Sequence, residues 1–178
     1  MRLFIAIRLE DGLKDAVRSL QNELRRRGVE GNFTRPENLH LTLAFIGEYG
    51  DPNRVTEAME QLRAEPIRLS SGGFGSFGEL WWLGVEDGGR LERLARSLRR
   101  ALAERDIPFD RKRFTPHITL VRKPQYRCDP RLGDLAIPQA EMTARRVSLM
   151  LSTRGKNGVI YTELGSVGLG GAPEDEKG

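Results

Sequence analysis

Few of the residues that build metal and covalent sites are present. The 178 residues hold one Cys and two His. A lone Cys128 cannot close an internal disulfide, and it fits a reducing, cytoplasmic setting. With two distant His it supplies too few soft ligands for a structural zinc site, so neither metal nor cofactor is expected. Long apolar runs are also missing. Stretches such as Leu3–Ile7 and Leu43–Ile46 are far too short to span a bilayer, so no membrane partner is expected. Met1-Arg2 leads into an apolar run broken by Arg8, Glu10 and Asp11, unlike a signal peptide. No Gly-x-Ser-x-Gly elbow exists. Gly73-x-Gly75-x-x-Gly78 precedes strand-like residues rather than a helix, which removes the helix terminus that a dinucleotide site needs.

What is there suffices for a core. Hydrophobic residues make up 38% and charged residues 30%, which argues for one folded domain over residues 1–166 and a flexible tail over 167–178. The formal charge is +4 and the isoelectric point about 9.6. Most cations are Arg, clustered at Arg25–Arg27, Arg99–Arg100, Arg111–Arg113 and Arg145–Arg146. Charge alone fits nucleotide or nucleic-acid binding as well as it fits solvated helix faces.

Apolar patterning predicts strands over Leu3–Leu9, Leu39–Ile46, Leu80–Val85 and Ile118–Val121, with a short one at Ile67–Leu69. Leu13, Ala16, Val17, Leu20 and Leu24 recur at helical spacing after Asp11, and Gly28 ends that helix. A second helix begins at Asp51-Pro52, carries Val55, Ala58, Met59 and Leu62, and stops by Pro66. A third follows Asp87 with Leu91, Leu94, Leu98 and Leu102. Residues 29–38 read as a loop, Ser70–Gly78 as a glycine-rich connector and 123–139 as irregular. Val147–Leu151 and Val159–Leu164 form a hairpin about a turn at Arg154–Gly158. A shift of 77 residues lays Leu3-Phe4-Ile5 on Leu80-Trp81-Trp82 and His40-Leu41-Thr42-Leu43 on His117-Ile118-Thr119-Leu120. This predicts a duplicated unit and two lobes about an approximate two-fold axis.

Both histidines therefore stand in the same tetrapeptide. With eight Thr in the chain, chance would set Thr two places after both His in roughly one sequence of five hundred. In a strand, i and i+2 share a face. His40 with Thr42, and His117 with Thr119, then line a cleft, while Leu41, Leu43 and Phe45, and Ile118 and Leu120, turn to the core. Two imidazoles can act as general acid and general base near neutral pH, and two hydroxyls can hold phosphate oxygens. That set suits in-line displacement at phosphorus.

These motifs resemble the two-histidine (2H) phosphoesterase superfamily, in its RNA 2′,3′-cyclic phosphodiesterase, 2′-5′ RNA ligase-like branch. The likeness runs from Met1 to about Leu164. It rests on Arg2-Leu3-Phe4-Ile5-Ala6-Ile7, on Arg35-Pro36-Glu37-Asn38-Leu39-His40-Leu41-Thr42-Leu43 with Phe45-Ile46-Gly47, and on Phe114-Thr115-Pro116-His117-Ile118-Thr119-Leu120-Val121-Arg122. It implies a bilobal α+β fold of mainly antiparallel sheet with outer helices and a central cleft. It also implies metal-independent opening of RNA 2′,3′-cyclic phosphate ends to 2′-phosphomonoesters. A monomer is expected. His117 is then the proton acceptor and His40 the proton donor, with Thr42 and Thr119 on the phosphate. The near symmetry leaves those two roles exchangeable. Alternatives are 2′-5′ ligation, another cyclic-nucleotide substrate, or an RNA-end binding module. The branch's Arg-Pro-Phe is Lys112-Arg113-Phe114 here, which makes Arg113 a candidate phosphate contact. Arg122 is another, although strand parity turns it away from His117 unless the strand bulges. Phe45 and Tyr161 are candidate base contacts, Trp81 and Trp82 weaker ones.

Overall fold

The computed structural model describes residues 1–170. Among them, nine strands and three α-helices follow one another as β1 (Arg2–Arg8), α1 (Asp11–Arg26), β2 (Glu30–Phe33), β3 (His40–Glu48), α2 (Pro52–Met59), β4 (Ile67–Phe77), β5 (Leu80–Glu86), α3 (Arg90–Glu104), β6 (His117–Gln125), β7 (Glu141–Ala144), β8 (Arg146–Gly155) and β9 (Gly158–Gly168). The fold is α+β and bilobal. The sheet order is β7-β4-β5-β6-β3-β1-β8-β9, with β2 also on β6, and every pairing is antiparallel. One lobe is β3-β1-β8-β9 and the other β6-β5-β4-β7. A single bridge, Leu41 to Ile118, joins them at β3 and β6.

The helices cross between lobes. Helix α1 follows β1 yet packs on β6 and β7, whereas α3 follows β5 yet packs on β3. Each presents one apolar stripe, Leu13-Val17-Leu20-Leu24 or Leu91-Leu94-Leu98-Leu102, to the outer face of a sheet. The main core lies between helices and sheets, and Leu41 and Ile118 sit in it with no exposed surface. Cutting either to Ala costs about 2–5 kcal/mol, so the two motif strands are anchored from behind. A smaller cluster, Phe4, Ala6 and Met150, lies on the opposite face with Tyr161 against it. No helix among the described residues is long and apolar enough to cross a membrane.

Several boundaries differ from the sequence reading. Residues 30–33, expected in a loop, form an edge strand on β6. Ser70–Phe77, read as a connector, is the body of the eleven-residue strand β4, and Gly78 begins the turn to β5. Gly75 has a packing purpose, since a Cβ there would run into the Trp82 indole. Helix α2 ends at Met59, short of Leu62. Val167 and Gly168, expected in a flexible tail, complete β9 against β8, and the rest of that tail from residue 171 lies outside the described residues.

Candidate active site

The Leu41–Ile118 bridge sets the geometry. In antiparallel register it places His40 beside Thr119 and Thr42 beside His117, all four on the face opposite the buried Leu41 and Ile118. Both rings are held alike. Nδ1 of His40 lies 2.6 Å from the Asn38 carbonyl oxygen, and Nδ1 of His117 lies 2.6 Å from that of Thr115. A carbonyl only accepts, so each Nδ1 carries the proton and each Nε2 is left for chemistry. At His40, Nε2 is 3.0 Å from Thr42 Oγ1.

A β-bulge follows each motif. Along β1, Ile5 pairs with Ala44 and Ala6 with Thr42, skipping Leu43; along β5, Trp81 pairs with Val121 and Trp82 with Thr119, skipping Leu120. Two consecutive residues are buried at each bulge, Leu43-Ala44 and Leu120-Val121. The alternation therefore resets, and the next residue returns to the cleft face. In β6 that residue is Arg122, so the bulge supplies what strand parity forbids. In β3 it is Phe45, which was expected in the core; it is 49% exposed, its ring 6.2 Å from that of Phe4. The bulges also adjust the internal repeat. Phe4 opposes Phe45 as Leu80 opposes Arg122, so Phe4 corresponds to Leu80, one residue short of the 77-residue offset.

The surroundings of the two rings differ. His40 stands between Phe4 at 5.0 Å and Tyr161 at 5.2 Å, the latter edge-on. His117 has Phe77 at 5.3 Å and Trp82 at 6.1 Å. The pKa of His40 lies below the ordinary histidine value. Burial is the largest cause; the Asn38 carbonyl opposes it, and the charges of Arg122 and His117 add to the lowering. That Arg122 acts on His40 places its charge across the lobe boundary. Tyr161, a candidate base contact, thus stands edge-on to a motif histidine. Trp81 is buried and packs in the core. Arg113 is exposed, and no hydrogen bond or ion pair holds it among the described residues.

Two contributors were not legible in advance. Arg8 is the cross-strand partner of His40, whereas Gly84 is that of His117. A charged residue ending an apolar strand was the available signal, but its meaning needs the register. Gln21, buried in α1, donates through Nε2 to the carbonyls of Thr34 at 2.9 Å and Leu120 at 3.0 Å, and so clamps the bulge that aims Arg122.

A profile of the 2′-5′ RNA ligase superfamily matches residues 7–156. The RNA 2′,3′-cyclic phosphodiesterase of Thermotoga maritima is 34% identical over 176 residues, covering 92% of this chain and 93% of its own. Among solved structures, TT0787 of Thermus thermophilus matches with a TM-score of 0.77 at 30% identity, covering 97% of this chain and 100% of that one. E. coli LigT complexed with 3′-AMP matches with a TM-score of 0.76 at 25% identity, covering 94% and 96%.

Proposed function

Because the chain belongs to the 2′-5′ RNA ligase superfamily, we propose that it hydrolyses RNA 2′,3′-cyclic phosphate ends to 2′-phosphomonoesters at the cleft between its lobes. The observation that carries this reading is the single-face set of His40, Thr42, His117 and Thr119 on two neighbouring strands. We read the two halves as copies of one unit whose motifs meet there. Since one chain carries both motifs, a monomer holds the complete site. The lone Cys128 is exposed and free, which favours a cytoplasmic setting.

In the proposed reaction His117 Nε2 takes a proton from water as the water oxygen bonds to phosphorus. The P–O3′ bond breaks on the far side, and His40 Nε2 gives its proton to O3′. The two Thr hydroxyls and Arg122 hold the non-bridging oxygens. Neutral His40 Nε2 accepts from the Thr42 hydroxyl; once protonated it aims its one Nε2 proton at O3′, which releases the Thr42 hydroxyl proton for phosphate. Burial favours neutral His40 in the empty cleft, so its donor role leans on the substrate. A unit negative charge about 4 Å away attracts the imidazolium by about 4 kcal/mol at an effective dielectric of 20, enough to oppose the cost of burial. After turnover His117 holds the extra proton, and exchange with solvent resets the pair.

Phosphorus NMR of a 2′,3′-cyclic nucleotide, incubated with the protein in excess EDTA, tests this. Wild type converts it to the 2′-monophosphate and His117→Ala does not. Failure on both the cyclic nucleotide and an RNA 2′,3′-cyclic end would turn the reading towards an RNA-end binding module.

A further inference from the structure

We propose that a cavity one residue removed from His40, on the far side of Arg8, is a second anion site, which takes the backbone phosphates of RNA upstream of the cyclic end. The proposal rests on the phosphodiesterase reading above. The cavity measures about 290 Å³, close to the lower limit for a ligand pocket. Its polar walls are Arg8 and Glu10 from the end of β1, Arg145, Arg146 and Ser148 where β7 passes into β8, and Glu163 from β9. Arg8 also lines the small recess against His40, with Phe4 and Tyr161. Arg8 thus lines both the cavity and the recess against His40.

Position, charge and reaction geometry agree. Ser148 pairs with Ala6, and Arg8 with His40, so these side chains share the cleft face of the first lobe. Three guanidinium groups meet two carboxylates, and Glu163 already accepts a hydrogen bond from the buried Ser148 hydroxyl. Arg146 donates to Ser166 Oγ. None of the three Arg forms an ion pair among the described residues. All three are exposed, with planar forks suited to phosphate. In-line opening puts water on the His117 side and O3′ on the His40 side. The ribose, and the chain attached to it, then lie over the first lobe, whose β1, β8 and β9 supply Arg8, Arg146, Ser148 and Glu163 to the cavity. In the other lobe Gly84, not an Arg, stands across from the histidine.

The test compares a 2′,3′-cyclic mononucleotide with two-, three- and five-residue oligoribonucleotides ending in 2′,3′-cyclic phosphate, for wild type and for Arg145→Ala/Arg146→Ala. Wild-type kcat/KM should rise with length, and the double variant should lose about tenfold of that length advantage. Its log–log salt dependence on the pentamer should flatten by about 0.7 for each phosphate that is no longer neutralised. Equal losses on every substrate, or no loss on the pentamer, would overturn the subsite while leaving the phosphodiesterase reading intact. Anisotropy of a labelled pentamer gives a readout free of turnover, and Arg145→Glu repeats the test in a second variant. If no substrate were turned over, weaker pentamer binding by both variants would still support the anion site, and unchanged binding would refute it.

Discussion

The two halves use one backbone device and furnish it differently. Each turns a histidine with the carbonyl two residues upstream, sets a Thr beside it, and bulges so that the sixth residue of the strand returns to the cleft. The additions around that frame are unequal. The first half places Arg8 across from its histidine and Phe45 after its bulge; the second places Gly84 and Arg122. One ring is enclosed by Phe4 and Tyr161 and bonded to Thr42. For the other, Nε2 has no partner among the described residues. The repeated backbone gives two proton-transfer groups facing one point. In the proposed reaction the unequal side chains set a direction: ribose against the enclosed, guanidinium-flanked ring, water against the open one.

Breaking the frame on either side should produce the largest effect. His40→Ala or His117→Ala should each lower kcat by about 10³-fold or more, and the double variant should be little worse, because the pair acts as a unit. Multiplying losses in single-turnover assays would refute concerted action. The pH profile then assigns the roles. As donor, His40 must be protonated, so kcat/KM falls as pH rises. That basic limb should lie below the ordinary histidine value of 6.5, because the free site depresses His40. The limb in kcat should lie higher, since bound phosphate raises it. A rate that instead climbs with pH through a midpoint below 6.5 would make His40 the base.

Arg122 and Phe45 occupy the same place after their bulges, so their variants compare charge with surface. Arg122→Ala should cost about 10²-fold in kcat/KM, the scale of one lost oxyanion donor. It should also move the basic limb upward, because it removes a charge that holds His40 down. Phe45→Ala removes only apolar contact area and should cost about tenfold or less, mostly in KM, with the pH profile unmoved. Equal losses would mean that Arg122 does not meet the phosphate.

How much was legible follows from which rules are local. The His-x-Thr pairs, the α1 stripe and the Gly28 stop were readable because helix and strand periodicities act over a few residues. The side of Phe45 was misjudged, and that of Arg122 left open, because a bulge is a property of two paired strands. Only Thr42 facing Ala6, and Thr119 facing Trp82, reveals the skipped residue. Ser70–Gly78 misled for a similar reason. Glycine reads as a breaker unless the Trp82 ring that lies on Gly75 is known. Arg8 and Gln21 were hidden because each acts on a residue distant in sequence.

Gln21 offers the finest test of the comparison, since among the described residues a buried side chain clamps the second bulge and not the first. The Leu120 carbonyl accepts from the Thr34 amide at 3.0 Å as well as from Gln21. Gln21→Leu keeps the volume and leaves that amide bond in place, but strips one donor from Leu120 and the side-chain donor from Thr34. The expected stability loss is about 1–3 kcal/mol, read from thermal melts. If the clamp positions Arg122, kcat/KM should fall several-fold, and adding Arg122→Ala should then cost less than it does in wild type. Full additivity would reduce Gln21 to a packing residue. A Gln21→Glu variant separates the cases further, because a carboxylate repels both carbonyls: it should disturb the rate and the melt together, whereas a packing role would leave the basic limb of the pH profile where wild type has it.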